Sequence, residues 1–141
     1  MIWITWKVRL LVAVMCGLVA MSAYAGSGAT SKLIGAWGGE QIRLVVKETS
    51  AALEFDCAFG EIEEPIRPDK DGNFEARGVY MPERGGPGRE VEPPLRRYPA
   101  LYRGWTDGKG MQLTVILLDR GREVGNFSLG FGRRPVLNKC G

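Results

Sequence analysis

The stretch LIGAWGGEQIRLVVKETSAALEFDCAFG, Leu33 to Gly60, decides the fold. From Gln41 the residues alternate: Ile42, Leu44 and Val46 share one face, while Gln41, Arg43 and Val45 take the other. After the polar break Lys47-Glu48-Thr49-Ser50, Leu53, Phe55 and Cys57 repeat the pattern, with Glu54 and Asp56 facing away. Side chains on a strand point alternately to opposite faces, so the spacing predicts a half-buried antiparallel pair around a turn. Gly35-Ala36-Trp37 leads into this hairpin.

The same pattern recurs toward the C-terminus. Ile62 to Ile66 reads as a short third strand, with Pro65 placing it at an edge or near its end. The turn Pro68-Asp69-Lys70-Asp71-Gly72-Asn73 precedes a fourth, in which Phe74, Ala76, Gly78 and Tyr80 alternate with Glu75, Arg77 and Val79. Met81 to Pro94 is aperiodic and rich in Pro and Gly, a long loop or the cover of one barrel end. Leu95 to Trp105 is extended again, with Ala100, Tyr102 and Gly104 opposing Leu101, Arg103 and Trp105. Beyond the hairpin turn Asp107-Gly108-Lys109-Gly110, Met111, Leu113, Val115 and Leu117 line one side of a strand whose second half is apolar on both faces. It reads as the most buried strand. After Asp119-Arg120-Gly121 comes a last strand with Phe127, Leu129 and Phe131 inward, and then an extended tail from Arg133 tied down at Cys140. Short strands joined mainly by tight turns predict an all-β fold. The expected form is an antiparallel up-and-down meander of seven or eight strands closing into a small barrel. Ala76, Gly78, Ala100 and Gly104 supply the small residues that strongly bent strands need.

The N-terminus reads differently. Lys7 and Arg9 precede an apolar run, Leu10 to Met21, that is shorter than the ~20 residues of a membrane span. Ala23-Tyr24-Ala25 fits the small-x-small cleavage rule. Residues 1–25 are therefore expected to be a signal peptide, and 26–141 a single exported β-barrel domain, periplasmic or extracellular. An uncleaved anchor and a lipidated Cys16 are the alternatives, and Met15 is a poor residue to precede a lipidated cysteine.

Processing changes the charge. Of nineteen Lys and Arg, Lys7 and Arg9 are lost, leaving seventeen against sixteen Asp and Glu. The two signs are interleaved, without the concentrated basic face that nucleic-acid binding requires. Cys57 and Cys140 remain, an even number in an oxidising compartment, which favours a disulfide closing a loop of about 84 residues. The chain has no histidine. Imidazole metal ligands, Ser-His and Cys-His nucleophile pairs and histidine acid-base chemistry are thereby removed. No enzyme, cofactor or metal is expected.

Gly35-x-Trp37 just before the first hairpin of a secreted β-meander resembles the opening motif of lipocalins. More broadly it resembles the calycin superfamily, which includes the avidins, and small secreted bacterial proteins of this shape. The resemblance implies that Trp37 closes one barrel end and that an Arg just after the final strand, Arg133 or Arg134, lies across its ring. The threonine-aspartate-tyrosine motif that lipocalins carry in mid-chain is missing.

Three groups invite a functional reading. Asp69-Lys70-Asp71-Gly72-Asn73 has the composition of a calcium loop but neither its glycine position nor its bidentate glutamate, so a hairpin turn is the better reading. Glu61, Glu63 and Glu64 crowd one short strand instead of facing each other across a cleft, and read as a solvated face. Arg84, Arg89, Arg96, Arg97 and Arg103 fall in or beside the long loop, near Tyr98, Tyr102 and Trp105. Arginine with aromatics is the composition of binding surfaces, and loops on a rigid scaffold often carry function. The first expectation is a non-enzymatic binding protein that uses the region 81–105, with Arg96, Arg97, Tyr98, Tyr102 and Trp105 at the site. Its partner would be an envelope protein or an anionic polymer. The alternative is a carrier of a small apolar ligand inside the barrel.

Exported protein is expected to begin at Gly26. Intact mass of secreted material checks this, and a mass retaining residues 1–25, or a diacylglyceryl adduct at Cys16, contradicts it.

Overall fold

The structure, a computed structural model, describes residues 33–83 and 94–140. The expected signal peptide and the middle of the long loop, with Arg84 and Arg89, lie outside the described residues. Eight antiparallel strands follow one another around a closed barrel: β1 (Gly35–Gly39), β2 (Ile42–Val46), β3 (Ala51–Phe55), β4 (Ala58–Ile62), β5 (Asn73–Pro82), β6 (Tyr98–Thr106), β7 (Gly110–Leu117) and β8 (Arg122–Phe131). Each strand pairs with its sequence neighbours, and β8 returns to β1. The chain is the all-β up-and-down meander that its alternation predicts.

Alternation sets the interior. Ile42, Leu44 and Val46 on β2, Leu53 and Phe55 on β3, and Met111, Leu113 and Val115 on β7 are all buried. Trp37 and Tyr102 are the two largest fully buried side chains, both 0% exposed. The intervening residues, such as Arg43, Glu75, Arg77 and Gln112, face out and are exposed.

Several sequence readings need correction. Gly35 to Gly39 is itself a strand and not only a lead-in. Its hydrophobic signal is weak because β8 and the C-terminal tail crowd it: a Cβ at Gly38 would collide with the Arg133 carbonyl, and one at Gly39 with the Ser128 carbonyl. Only a strand poor in side chains fits this seam. The expected strand at Ile62 to Ile66 lies earlier, at β4, for a related reason. Tyr102 crosses the barrel and its hydroxyl occupies the space that a Cβ at Gly60 would need, so β4 must be small just where a large residue would have announced it. Cys57 is not inward on β3; it lies exposed in the bend between β3 and β4. The second half of β7 is not buried on both faces, since Ile116 is partly exposed and Leu118, just past the strand, is exposed. Phe131 has the inward parity of Leu129, but it stands at the barrel's end and remains 49% exposed.

The tail closes the structure. After β8, Gly132 N–H donates to the Ala36 carbonyl at 2.8 Å, Val136 N–H to Gly39 at 3.0 Å, and Gln41 N–H to the Val136 carbonyl at 2.8 Å. Gln41 holds the left-handed φ of 66°, a conformation that costs a non-glycine residue energy, and the tail bond helps to fix it there. Farther on, Asn138 N–H donates to Asp56 Oδ1 at 2.8 Å, and Cys140 is bonded to Cys57 with a Cα–Cα distance of 5.2 Å. Lys139 pairs with Glu54 at 2.6 Å and Glu83 at 3.7 Å, and lies 4.9 Å from the Phe59 ring centroid.

The Cys57–Cys140 bond links residues 83 apart, for which loop-closure entropy sets an upper bound of ~4.5 kcal/mol. Cys57→Ser and Cys140→Ser are each expected to lower stability by ~2–4 kcal/mol, and the double variant by no more than either. Urea unfolding measures the change, and non-reducing peptide mapping should recover the two cysteines in one linked species. Two free thiols, or unchanged midpoints, would contradict the assignment.

Candidate functional site

Strand β6 separates the residues that the sequence grouped together. Tyr98 and Trp105 are seven positions apart, about 23 Å along an extended strand, so they stand near opposite ends of the barrel. Tyr102 points inward, fully buried, and its hydroxyl donates to the Val79 carbonyl at 2.6 Å. It is a core residue and not a surface contact. Trp105 points outward beside Asn73 and Gln112. Arg97 is turned onto the outer wall, where it pairs with Glu61 at 2.9 Å and Glu63 at 3.5 Å and donates to Met81 Sδ at 3.6 Å. Arg96 is exposed beside it. The five residues therefore do not form one site.

What the fold does assemble is a mouth. Tyr80, near the end of β5, and Tyr98, at the start of β6, are register partners with the same inward parity. Pro82, Leu117 and Val124 complete the apolar wall, and Arg120 in the turn between β7 and β8 and Arg122 at the start of β8 bring two guanidinium groups. These residues surround a cleft of about 260 Å³. Below it, Phe55 packs against Tyr80 and Phe127, with ring centroids 5.5 and 5.2 Å away. The connection from Glu83 to Arg97 leaves and returns at this same rim, because Pro82 ends β5 and Tyr98 begins β6.

The mouth's polar groups are open. Arg120 lies 5.5 Å from the Tyr98 ring centroid, and its one carboxylate partner among the described residues is the adjacent Asp119 at 4.0 Å. Among the described residues no carboxylate pairs with Arg122, and no protein group takes up the Tyr80 or the Tyr98 hydroxyl. Burial pushes the Tyr80 phenol above its ordinary value of 10.0, and the Arg122 charge partly opposes the shift. At neutral pH it is a protonated hydroxyl, able to donate. Two fixed cations and two phenols over an aromatic floor can hold an anion by charge-assisted hydrogen bonds.

Sequence reasoning missed Tyr80, Leu117, Arg120, Arg122 and Val124 as site residues. The signal was topological: in an up-and-down meander every second connection falls at the same end, which places Asp119-Arg120-Gly121 beside the loop after Pro82. The turn Asp69 to Asn73 is a hairpin connector as read, with Asp69 Oδ1 accepting from Asp71 and Asn73 N–H at 2.9 Å each. Glu61 and Glu63 are occupied by Arg97, and Glu64 accepts from the Arg77 N–H.

Trp37 stands at the opposite end, its Nε1–H donating to the Leu33 carbonyl at 2.9 Å. The ring that meets it is Phe131, edge-on at 5.2 Å. The cation–π contacts found among the described residues are those of Arg120 with Tyr98 and Lys139 with Phe59. The chain matches no family model, no curated protein and no solved structure.

Burial raises the Tyr102 phenol far above 10.0, with Tyr80 and Glu61 adding to the shift. The folded state keeps this proton where the unfolded chain loses it, so the contribution to stability is complete below pH 10 and falls as pH rises further. Unfolding free energy is expected to drop by ~1.4 kcal/mol per pH unit above ~10 from this group. Tyr102→Phe should cost ~1–2 kcal/mol at neutral pH by leaving the Val79 carbonyl without its donor, and should flatten the alkaline slope. Urea titrations from pH 8 to 11 on both proteins measure the difference.

Proposed function

We propose that this chain is an exported, non-enzymatic binding protein that grips an anionic group of a larger partner in the mouth between β5, β6 and the β7–β8 turn. The observation that carries the reading is the pair Arg120 and Arg122, which among the described residues has no strong carboxylate partner, beside two phenol hydroxyls that no described protein group takes up. Size bears on the kind of ligand. Pockets for whole drug-sized molecules run from ~300 to 1,000 Å³, so a cleft of about 260 Å³ suits a side chain, a terminal carboxylate or a sulfate or phosphate group. An envelope protein or an anionic polymer fits that description.

The closed meander is the form that calycin-like barrels take, and Trp37 buried at one end is in keeping with that comparison. The carrier reading draws less support. Phe55, Phe74, Tyr102, Met111 and Leu113 fill the interior from several strands, and small barrels are either packed by side chains or hold one ligand.

The test compares charge at the mouth with charge elsewhere. Arg120→Ala/Arg122→Ala is expected to weaken binding to dextran sulfate and to polyglutamate at least tenfold, or about 1.4 kcal/mol. Arg43→Ala/Arg103→Ala removes the same charge from the outer wall, where both arginines face glutamates, and should change binding less than twofold. Equal losses in the two variants would reduce the mouth to general electrostatics. Isothermal titration at 50 and 150 mM salt reads both, and the contribution of exposed charge falls with screening.

A further inference from the structure

The outer wall carries a second surface, remote from the mouth. Trp105 is 42% exposed, an unusual amount for a large aromatic, yet its Nε1–H is fixed on the Asp71 carbonyl at 2.9 Å. The ring is thus held as a platform and does not swing freely. Beside it a cleft of about 410 Å³ opens between the turns at 68–72 and 105–108. Register places Gln112 next to Trp105 and Ser128 next to Gln112, a row about 10 Å long at the ordinary strand spacing. Asn73 flanks Trp105 on the other side.

This row keeps hydrogen-bonding capacity unused. Ser128 Oγ–H donates to Gln112 Oε1 at 3.0 Å, which orients the amide and leaves its NH₂ group open. No protein group among the described residues takes up the Asn73 side chain. Asp107, in the cleft's lining, accepts from the Lys109 and Gly110 N–H groups through Oδ1, at 2.8 and 2.7 Å. Arg103, two positions before Trp105, is committed to Glu75 at 2.7 Å, and the one cation in the cleft's lining, Lys70, stands among Asp69, Asp71 and Asp107.

The composition selects the occupant. A lipid chain would cover the indole but strip water from the amides without replacing it. A polyanion would meet three carboxylates in the cleft's lining, Asp69, Asp71 and Asp107, against the single cation Lys70. A sugar ring meets both demands: its C–H face packs on an indole by dispersion and weak C–H contacts, and its hydroxyls both donate and accept. We propose that the strip Trp105–Gln112–Ser128, with the cleft beside it, binds a neutral glycan chain. The site is independent of the mouth and stands whether or not the mouth binds an anion.

The readout is acrylamide quenching of Trp105, taken as the difference between wild type and Trp105→Phe so that other tryptophans cancel. The probes are cellohexaose, maltohexaose and chitohexaose. At least one is expected to lower the Trp105 quenching constant twofold or more, and to bind Trp105→Ala at least tenfold more weakly. Gln112→Ala should weaken it about threefold, and it keeps the test decisive if Trp105→Ala loses stability. Arg120→Ala/Arg122→Ala should leave glycan binding unchanged. The proposal is overturned if none of the three probes protects Trp105, if Trp105→Ala or Gln112→Ala binds as wild type does, or if the mouth variant abolishes binding.

Discussion

The barrel depends on closing one short seam. Strands β1 and β8 share three register pairs, Trp37 with Phe131, Gly38 with Gly130 and Gly39 with Leu129, whereas β5 and β6 share eight. An unclosed seam would leave two edges of unpaired N–H and C=O groups, the usual route to intermolecular pairing. The chain closes it in layers. Phe131 abuts Trp37, the tail adds hydrogen bonds to Ala36, Gly39 and Gln41, and the disulfide anchors the tail's far end beside β3 and β4. The glycines of β1 follow from this arrangement, because a tail and a strand cross where Cβ atoms would otherwise sit.

Tyr102 plays a corresponding part inside. Its ring fills the section of the barrel left open by Gly60, and its hydroxyl ties β6 to the β5 backbone at Val79. Tyr80 and Tyr98 then sit one layer out, above Phe55, with no hydrogen-bond partner for their hydroxyls among the described residues. Packing below and openness above come from the same alternation, since inward parity means core in mid-strand and rim at the strand's end. Leu129 and Phe131 show the same change from buried to half exposed within two residues.

The two proposed surfaces differ in the physics they use. The mouth concentrates cations beside two phenol hydroxyls in a concave setting, where charge-assisted bonds can form. The strip around Trp105 borders a cleft in which Lys70 is outnumbered by Asp69, Asp71 and Asp107, and it relies on an aromatic face with oriented amides. Their separation along β6 allows both to be occupied together, so a partner bearing an anionic group and one presenting sugar would not compete.

Alternation, turn chemistry and cysteine count are local properties, and they carried the fold class, the inward faces of β2, β5, β6 and β7, the hairpin turns and the pairing of Cys57 with Cys140. They are legible because period two and turn residues act over a few neighbours. Strands β1 and β4 were hidden because their small residues answer to Tyr102, Arg133 and Ser128, which are distant in the sequence. The candidate site was hidden for the same reason. Arg96 to Trp105 is contiguous in sequence, and a strand scatters it to the outer wall, the core and both ends. Arg120 and Arg122 reach Tyr80 and Tyr98 only once β5 to β8 have paired, because pairing and strand direction decide which turns share an end.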